Sequence, residues 1–290
     1  MGTPLSIAVC SNRPQNLAGV GLLLDSTAED DEIQLIVDLE PGPEMGERLT
    51  DLAARGVRVT INGCNRGLAY SRNRALAQCR HQHLVYVDDD AVVPPETIEA
   101  IRDTVGDGAG IVGVWLAPRF QSRLPWWLTG GQYHYLGVHH TVELATTWGA
   151  CMALDARLAR QAGLQFRTEL GRHGKALLSG EDTTFLAELR RAGATERFLA
   201  GSAASHYVSA DRTRLAYLLR RAWWQGRSEM RRSAARTSLS KEWRRAVATG
   251  PASTAPARRY LLAVLYVAAV ASGIVVEYAT QAVSAGRGQL

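Results

Sequence analysis

Cysteine is scarce in this 290-residue chain, and its four copies (Cys10, Cys64, Cys79 and Cys151) form neither a CxxC pair nor a paired framework. That argues against a disulfide scaffold and a structural zinc site, and it fits a reducing, cytosolic setting. The first residues, Met1-Gly2-Thr3-Pro4-Leu5, lack the basic-then-apolar pattern of an export signal. Neither GxGxxG nor a GxxxxGKS or GxxxxGKT segment is present, so ordinary dinucleotide and P-loop sites lose support. No internal repeat is visible. The apolar run Leu261–Val276 has 16 residues and stops at Glu277, short of the about 20 that a spanning helix needs. A short buried or interfacial helix is expected there.

What remains is an ordinary globular composition, 46% hydrophobic and 21% charged, long enough for one large α/β domain with an appendage. The net charge of +5 conceals a division. Residues 1–210 carry 19 Lys/Arg against 24 Asp/Glu, a net of −5, while residues 211–290 carry 14 against 4, a net of +10. A basic tail of this kind suits an anionic surface. The apolar run that follows it favours a membrane over nucleic acid, with association of copies through the C-terminal helices as the other use. The chain is therefore expected in the cytoplasm, peripheral on the inner face of the cell membrane.

The first two-thirds alternate strand and helix. Strands are expected at Ser6–Cys10, Ile33–Asp38, Val57–Ile61, His83–Val87 and Gly110–Trp115, and helices at Pro14–Leu24, Glu44–Arg55, Leu68–Cys79 and Pro94–Val105. Such alternation implies right-handed βαβ crossovers, hence an α/β fold with a mainly parallel sheet flanked by helices. Residues 117–147 are aromatic, Gly-rich and weakly periodic, as a lid, an acceptor-binding segment or plain surface packing would be. Beyond them, Thr146–Leu154 reads as a strand, Asp182–Arg191 as a helix, 211–236 as a basic helix and 249–257 as a linker.

Two carboxylate clusters carry the chemistry. Leu84-Val85-Tyr86-Val87 leads directly into Asp88-Asp89-Asp90, and the C-terminal end of a buried strand is where an α/β sheet builds a site. Three adjacent like charges need neutralising, which a hard divalent cation carrying a diphosphate would do. A solvated Asp-rich turn is the plain alternative. The second cluster, Glu181-Asp182 after Gly180, has its own plain reading as an acidic helix start.

Taken in order, Ser11-Asn12-Arg13-Pro14, Val37-Asp38, Asn65 to Asn73 (an N-x-G-x-x-x-x-R-N segment), Asp88-Asp89-Asp90 (a DxD motif) and Gly180-Glu181-Asp182 (an "ED" motif) resemble the family 2 glycosyltransferases of the GT-A fold. The resemblance covers about residues 5–210, leaving 211–290 as a basic helical extension. It implies a metal-dependent, inverting enzyme that moves one sugar from a nucleoside-diphosphate sugar, most often a UDP-sugar, to a saccharide, lipid-linked or small-molecule acceptor. It also implies roles. Asp38 would meet the nucleotide base and Arg72 the base or diphosphate. Arg13, Asp88 and Asp89 would line the donor site, Asp88 touching ribose or metal-bound water. Asp90 would ligate Mn²⁺ or Mg²⁺, with His206, read as following a strand, a further candidate. Asp182 would be the general base, with Glu181 binding an acceptor hydroxyl or supporting the loop.

Two departures matter. Trp148-Gly149-Ala150-Cys151-Met152 stands where many members carry Gly-Gly-Asn, and the QxxRW motif of processive synthases is missing, although Arg220 to Ser228 superficially resembles it. His134, His139 and His140 read as surface or acceptor-side residues, and the Arg-rich helix either closes over the diphosphate or, for most of its arginines, is a solvated face. The rival functions are a sugar-phosphate nucleotidyltransferase, whose Gly-rich N-terminal loop is lacking, and a non-catalytic, membrane-associated scaffold of the same fold.

Overall fold

The computed structural model describes residues 2–13, 18–128, 130–232, 239–240, 243–244 and 256–287. Four short strands form its parallel half: β1 (Leu5–Ser11), β2 (Glu32–Val37), β3 (Arg58–Ile61) and β4 (His83–Asp88). Every residue of β2 is buried, as a parallel strand covered on both faces requires. Helices α1 (Ala18–Leu24), α2 (Pro43–Ala54) and α3 (Leu68–Gln78) make the crossovers. In α2, Pro43 opens the first turn, and Met45, Leu49 and Leu52 bury one stripe against the sheet. The four parallel strands and their helices lie within two residues of their expected bounds, apart from the start of α1, where residues 14–17 lie outside the described ones.

The other half of the sheet changes direction. After β5 (Ala91–Val92), α4 (Pro95–Gly106) and β6 (Ile111–Phe120) come α5 (Tyr133–Leu136), β7 (Cys151–Asp155), α6 (Ala156–Gln161), α7 (Glu181–Arg191) and β8 (Glu196–Val208). The order across the eight strands is β3-β2-β1-β4-β7-β6-β8-β5. β7 is antiparallel to both β4 and β6, β8 is parallel to β6, and β5 is antiparallel to β8. The sheet is thus mixed and mostly parallel. Three differences follow, the first being that β6, expected to stop at Trp115, runs on to Phe120. Residues 146–150, expected to begin a strand, are an irregular approach to β7. His206 was expected to follow a strand but lies inside β8, opposite Ala91. The strand expected before His206 is thus β8, which runs on through it and is interrupted where Ala200-Gly201-Ser202 bulges out between the Val114–Leu199 and Trp115–Ala203 pairs.

Two helices close the molecule. Helix α8 (Leu215–Arg231) is covered by α9 (Pro256–Arg287), a 32-residue helix. Leu218 and Ala222 of α8 and Tyr266 and Val270 of α9 share an apolar cluster with Leu128, Tyr135, Leu136, Val138 and Val208. The two helices touch through glycine. A β-carbon on Gly226 would lie 2.0 Å from the Val270 carbonyl oxygen, and one on Gly273 would lie 2.0 Å from that of Trp223. Only glycine permits that approach.

α9 is longer than the 16-residue run suggested. Glu277 does not end it, because the carboxylate is 3% exposed and clamped by Arg227 and Arg231 of α8, each at 2.7 Å. These two arginines, read as part of a solvated face, are in fact tied down. Tyr260–Ser284 is long and apolar enough, by length and composition, to cross a membrane. Residues 249–255 of the expected linker and 233–236 of the expected basic helix lie outside the described ones, whereas residues 256 and 257 already belong to α9.

Candidate active site

The parallel half opens at its carboxyl edge, where β1 ends at Ser11, β2 hands over to Asp38 and β4 ends at Asp88. A cleft of about 500 Å³ lies there. Its walls include Arg13, Asp38, Arg72, Asp88, Asp89, Asp90, Glu181, Asp182 and His206, so all nine residues singled out from the sequence meet in one place.

Arg72 is the hub. It is buried on α3, and its guanidinium bonds Asp88 at 3.1 Å, Glu181 at 2.9 Å and the Gly149 carbonyl oxygen at 3.1 Å. One cation thus joins the two carboxylate clusters, and its charge is fixed by them. Gly149 completes the link. Its N–H donates to Asp182 at 2.9 Å, and a β-carbon there would fall 2.4 Å from the Arg72 guanidinium. The glycine in Trp148-Gly149-Ala150 is therefore required by close approach. Trp148 is stacked on His139, centroids 4.4 Å apart, so one face of its indole is already covered. His139 itself is not a surface residue: 2% exposed, it accepts from Leu116 N at Nδ1 and bonds the Thr146 carbonyl at Nε2, both at 2.9 Å.

The aspartate triplet divides its tasks. Asp89 accepts from Ser11 and pairs with Arg13. Asp90 bonds His206 Nε2 at 3.0 Å and pairs with Arg13 at 3.2 Å and Arg212 at 3.7 Å. Burial pushes the Asp90 carboxyl up, but the His206 ring and the two guanidiniums hold it far below the ordinary carboxylate range. Asp88 moves the other way, raised by burial and by the charge of Asp90 against the pull of Arg72. One ligand atom from each of Asp88, Asp90 and His206 lies within 4.8 Å of the others. Two carboxylates and an imidazole are a donor set that fits a divalent cation.

Across the cleft, burial and the adjacent Asp182 charge push the Glu181 carboxyl up to about 7, against Arg72. Asp182 is less buried, and its oxygens accept from Gly149 N and from Thr183 N at 2.7 Å. Asp38, 4% exposed, accepts from Asn62, Arg66 N and Gly67 N and so ties down the loop before α3.

The comparisons with known proteins agree with this architecture. The sequence model described as Glycosyl transferase family 2 matches residues 7–160, more than half of the chain. The chain belongs to that family. A glucosyl-dolichyl phosphate glucuronosyltransferase of Haloferax volcanii is 24% identical to this glycosyltransferase over 239 residues, covering 78% of this chain and 76% of the relative. The succinoglycan biosynthesis protein ExoM of Rhizobium meliloti is 27% identical over 184 residues, 62% of this chain and 58% of its own length. Among solved structures, a mannosyltransferase from Pyrobaculum calidifontis in complex with GDP-Man and Mn²⁺ superposes with a TM-score of 0.56 at 18% identity, covering 99% of this chain and 76% of that one. The GT-A fold expected from the motifs is the fold of this glycosyltransferase.

The cleft has a third wall, of which the sequence reading raised the Arg-rich helix only as the lesser alternative and did not single out Arg172. Arg172, Arg212, Arg221 and Gln225 also line it, the last two on α8. Arg221 is 8% exposed rather than part of a solvated face. The one available signal was the spacing of Arg221, Gln225 and Glu229, which puts all three on one side of a helix.

Proposed function

We propose that this glycosyltransferase is metal-dependent and inverting, and that it moves one sugar from a nucleoside-diphosphate sugar to an acceptor hydroxyl. The carrying observation is the pair of carboxylate clusters held apart, yet joined, by Arg72. Inverting transfer needs two such stations. At one, Asp182 takes the proton of the acceptor hydroxyl while its oxygen bonds the anomeric carbon. At the other, the bond from that carbon to the diphosphate breaks, and the electron pair leaves with the nucleoside diphosphate. A cation held by Asp88, Asp90 and His206 would supply charge neutralisation for that leaving group. The His206 nitrogen favours Mn²⁺ over Mg²⁺ in this role. Asp38 spends three of its roughly four acceptor sites on the loop before α3 and keeps one for an N–H of the base. Arg13 fixes Asp89 and Asp90 at the donor side, and Glu181 anchors Arg72 behind the base.

Thermal unfolding with UDP-, GDP- and dTDP-sugars, each with and without Mn²⁺, tests this reading. Stabilisation by one nucleotide sugar, UDP the first choice, and only with metal, is the expected result. At a hundredfold excess over Kd it is worth about 2.7 kcal/mol, several degrees in Tm for a chain of this size. No shift with any of them would return the scaffold reading, and release of pyrophosphate would return the nucleotidyltransferase.

The place of action follows from α9. Leu261, Val264, Val275 and Val283 on its outward side are each more than half exposed. With a net +10 over residues 211–290, that side suits the anionic cytoplasmic surface of a membrane. The full-length chain is expected to co-sediment with phosphatidylglycerol vesicles at low salt, where the attraction is greatest. A chain that stays in the supernatant there would remove the membrane from the account.

A further inference from the structure

Strand β7 pairs with β6 only as far as Gly113, opposite Met152. Three residues further along β6, a single histidine serves the main chain of Leu116. The His139 N–H donates to the Leu116 carbonyl oxygen at 3.0 Å, and the ring Nδ1 accepts from the Leu116 N–H at 2.9 Å. Both groups of a buried peptide are thereby satisfied without a neighbouring strand. A main-chain N–H can only donate, so Nδ1 carries the lone pair and the ring proton sits on Nε2. From there it goes to the Thr146 carbonyl oxygen at 2.9 Å. Burial lowers the pKa of this ring below the ordinary histidine value and keeps it in that neutral form.

His139 also holds residues 146–148 by its ring. Trp148 stacks on it with centroids 4.4 Å apart, and Trp115 and Phe198 pack against it at 5.2 and 5.5 Å. Thr147, between the two points of grip, is fixed by its own hydroxyl, which donates to Glu196 at 2.6 Å. The next residue is Gly149, whose N–H donates to Asp182 and whose carbonyl accepts from Arg72. The two recipients depend on it unequally. Arg72 is anchored by Asp88 and Glu181 as well. The other bonds of the Asp182 carboxylate come from the N–H and hydroxyl of Thr183, its neighbour in the chain. A bond to the adjacent residue cannot fix the carboxylate against the sheet, whereas the bond from Gly149 does.

We infer that His139 is a positioning residue for the transfer step. Acting through Trp148 and Gly149, it sets where the Asp182 carboxylate stands against the acceptor hydroxyl. The inference rests on the reading of Asp182 as the general base.

Hydrolysis of UDP-glucose, or of the nucleotide sugar that stabilises the chain best, tests it in the full-length protein with Mn²⁺. Water then takes the acceptor's place: its oxygen bonds the anomeric carbon, Asp182 takes its proton, and the electron pair of the broken bond leaves with the nucleoside diphosphate. His139→Asn keeps an acceptor for the Leu116 N–H but gives up the stack and the bond to Thr146. Its kcat should fall about 10²-fold, the cost of moving a reacting group by about 1 Å, with nucleotide Kd changed less than about twofold by calorimetry. Amide exchange should quicken at Gly149 and not in β1 or β4, a comparison that needs no turnover. His139→Gln, which can still donate to Thr146, should lose less, and it carries the test if His139→Asn does not fold. In the Asp182→Asn background either substitution should cost nothing further, because a residue that acts through Asp182 has nothing left to position. A further loss of kcat there would overturn the inference. So would an unchanged kcat in His139→Asn, unchanged exchange at Gly149, or a parallel loss of nucleotide affinity. Full hydrolysis by Asp182→Asn alone would instead remove the base, and this inference with it.

Discussion

Asp182→Asn is expected to leave donor binding intact and to slow transfer by about 10²–10⁴-fold, the usual worth of a positioned general base. The substitution is nearly isosteric, and Asp182 is only partly buried, so the fold has little reason to change. Its carboxylate receives N–H bonds from Gly149 at 2.9 Å and Thr183 at 2.7 Å. Those bonds orient the side chain without removing its capacity to take a proton. An amide keeps the volume and one acceptor oxygen but has no basicity. The loss should therefore appear in kcat, with the donor's Kd within about twofold of wild type when measured by calorimetry. Full transfer by Asp182→Asn would sink the assignment of the base, and Glu181 would not replace it, since its carboxylate is buried against Arg72.

Asp90→Asn is expected to remove the metal dependence of donor binding. Asp90 is where His206, Arg13 and Arg212 converge, and those three hold it ionised against its burial. Replacing it takes away both a ligand oxygen and the charge that makes a cation welcome. Losing a residue that merely supports a ligand typically costs 10–100-fold in metal affinity, so loss of a ligand should cost about 100-fold or more. The comparison that decides is donor Kd with and without Mn²⁺ in each protein. Wild type should show a large ratio between the two, and Asp90→Asn a ratio near one. A variant that keeps the wild-type ratio would mean that the cation is held elsewhere.

How far the sequence could be read depended on how local the cause was. Strands β1 to β4 and their helices were legible because β1, β2 and β4 are mainly apolar runs, β3 follows the stop at Gly56, and strand and helix patterns alternate regularly. Of β8 only its presence before His206 was legible, not its bounds, since Glu196–Val208 alternates poorly and bulges at Ala200-Gly201-Ser202. The length of α9 was hidden for a different reason: the charge at Glu277 is cancelled by arginines 46 and 50 residues earlier. At the site, the acidic residues were visible as motifs. Arg72 was read as a contact for the base or diphosphate, and the structure adds its bonds to Asp88 and to Glu181, a residue 109 positions away. No window along the chain reveals such a partner. That Arg172, Arg212 and Arg221 meet escaped for the same reason, as their three separate segments come together only in the fold.

The shared cluster between α8 and α9 bears on how the protein can be handled. Deleting the apolar C-terminal helix would be the obvious step toward a better-behaved preparation. Here it would strip Tyr266 and Val270 from a cluster that also contains Leu218 and Ala222, and it would leave Arg227 and Arg231 without Glu277. Helix α8, which carries Arg221 and Gln225 into the cleft, would lose its backing. Repainting the outward side of α9 with polar residues at Leu261, Val264, Val275 and Val283 would spare every one of those contacts, so a shortened chain is the wrong reagent and a resurfaced one the right one.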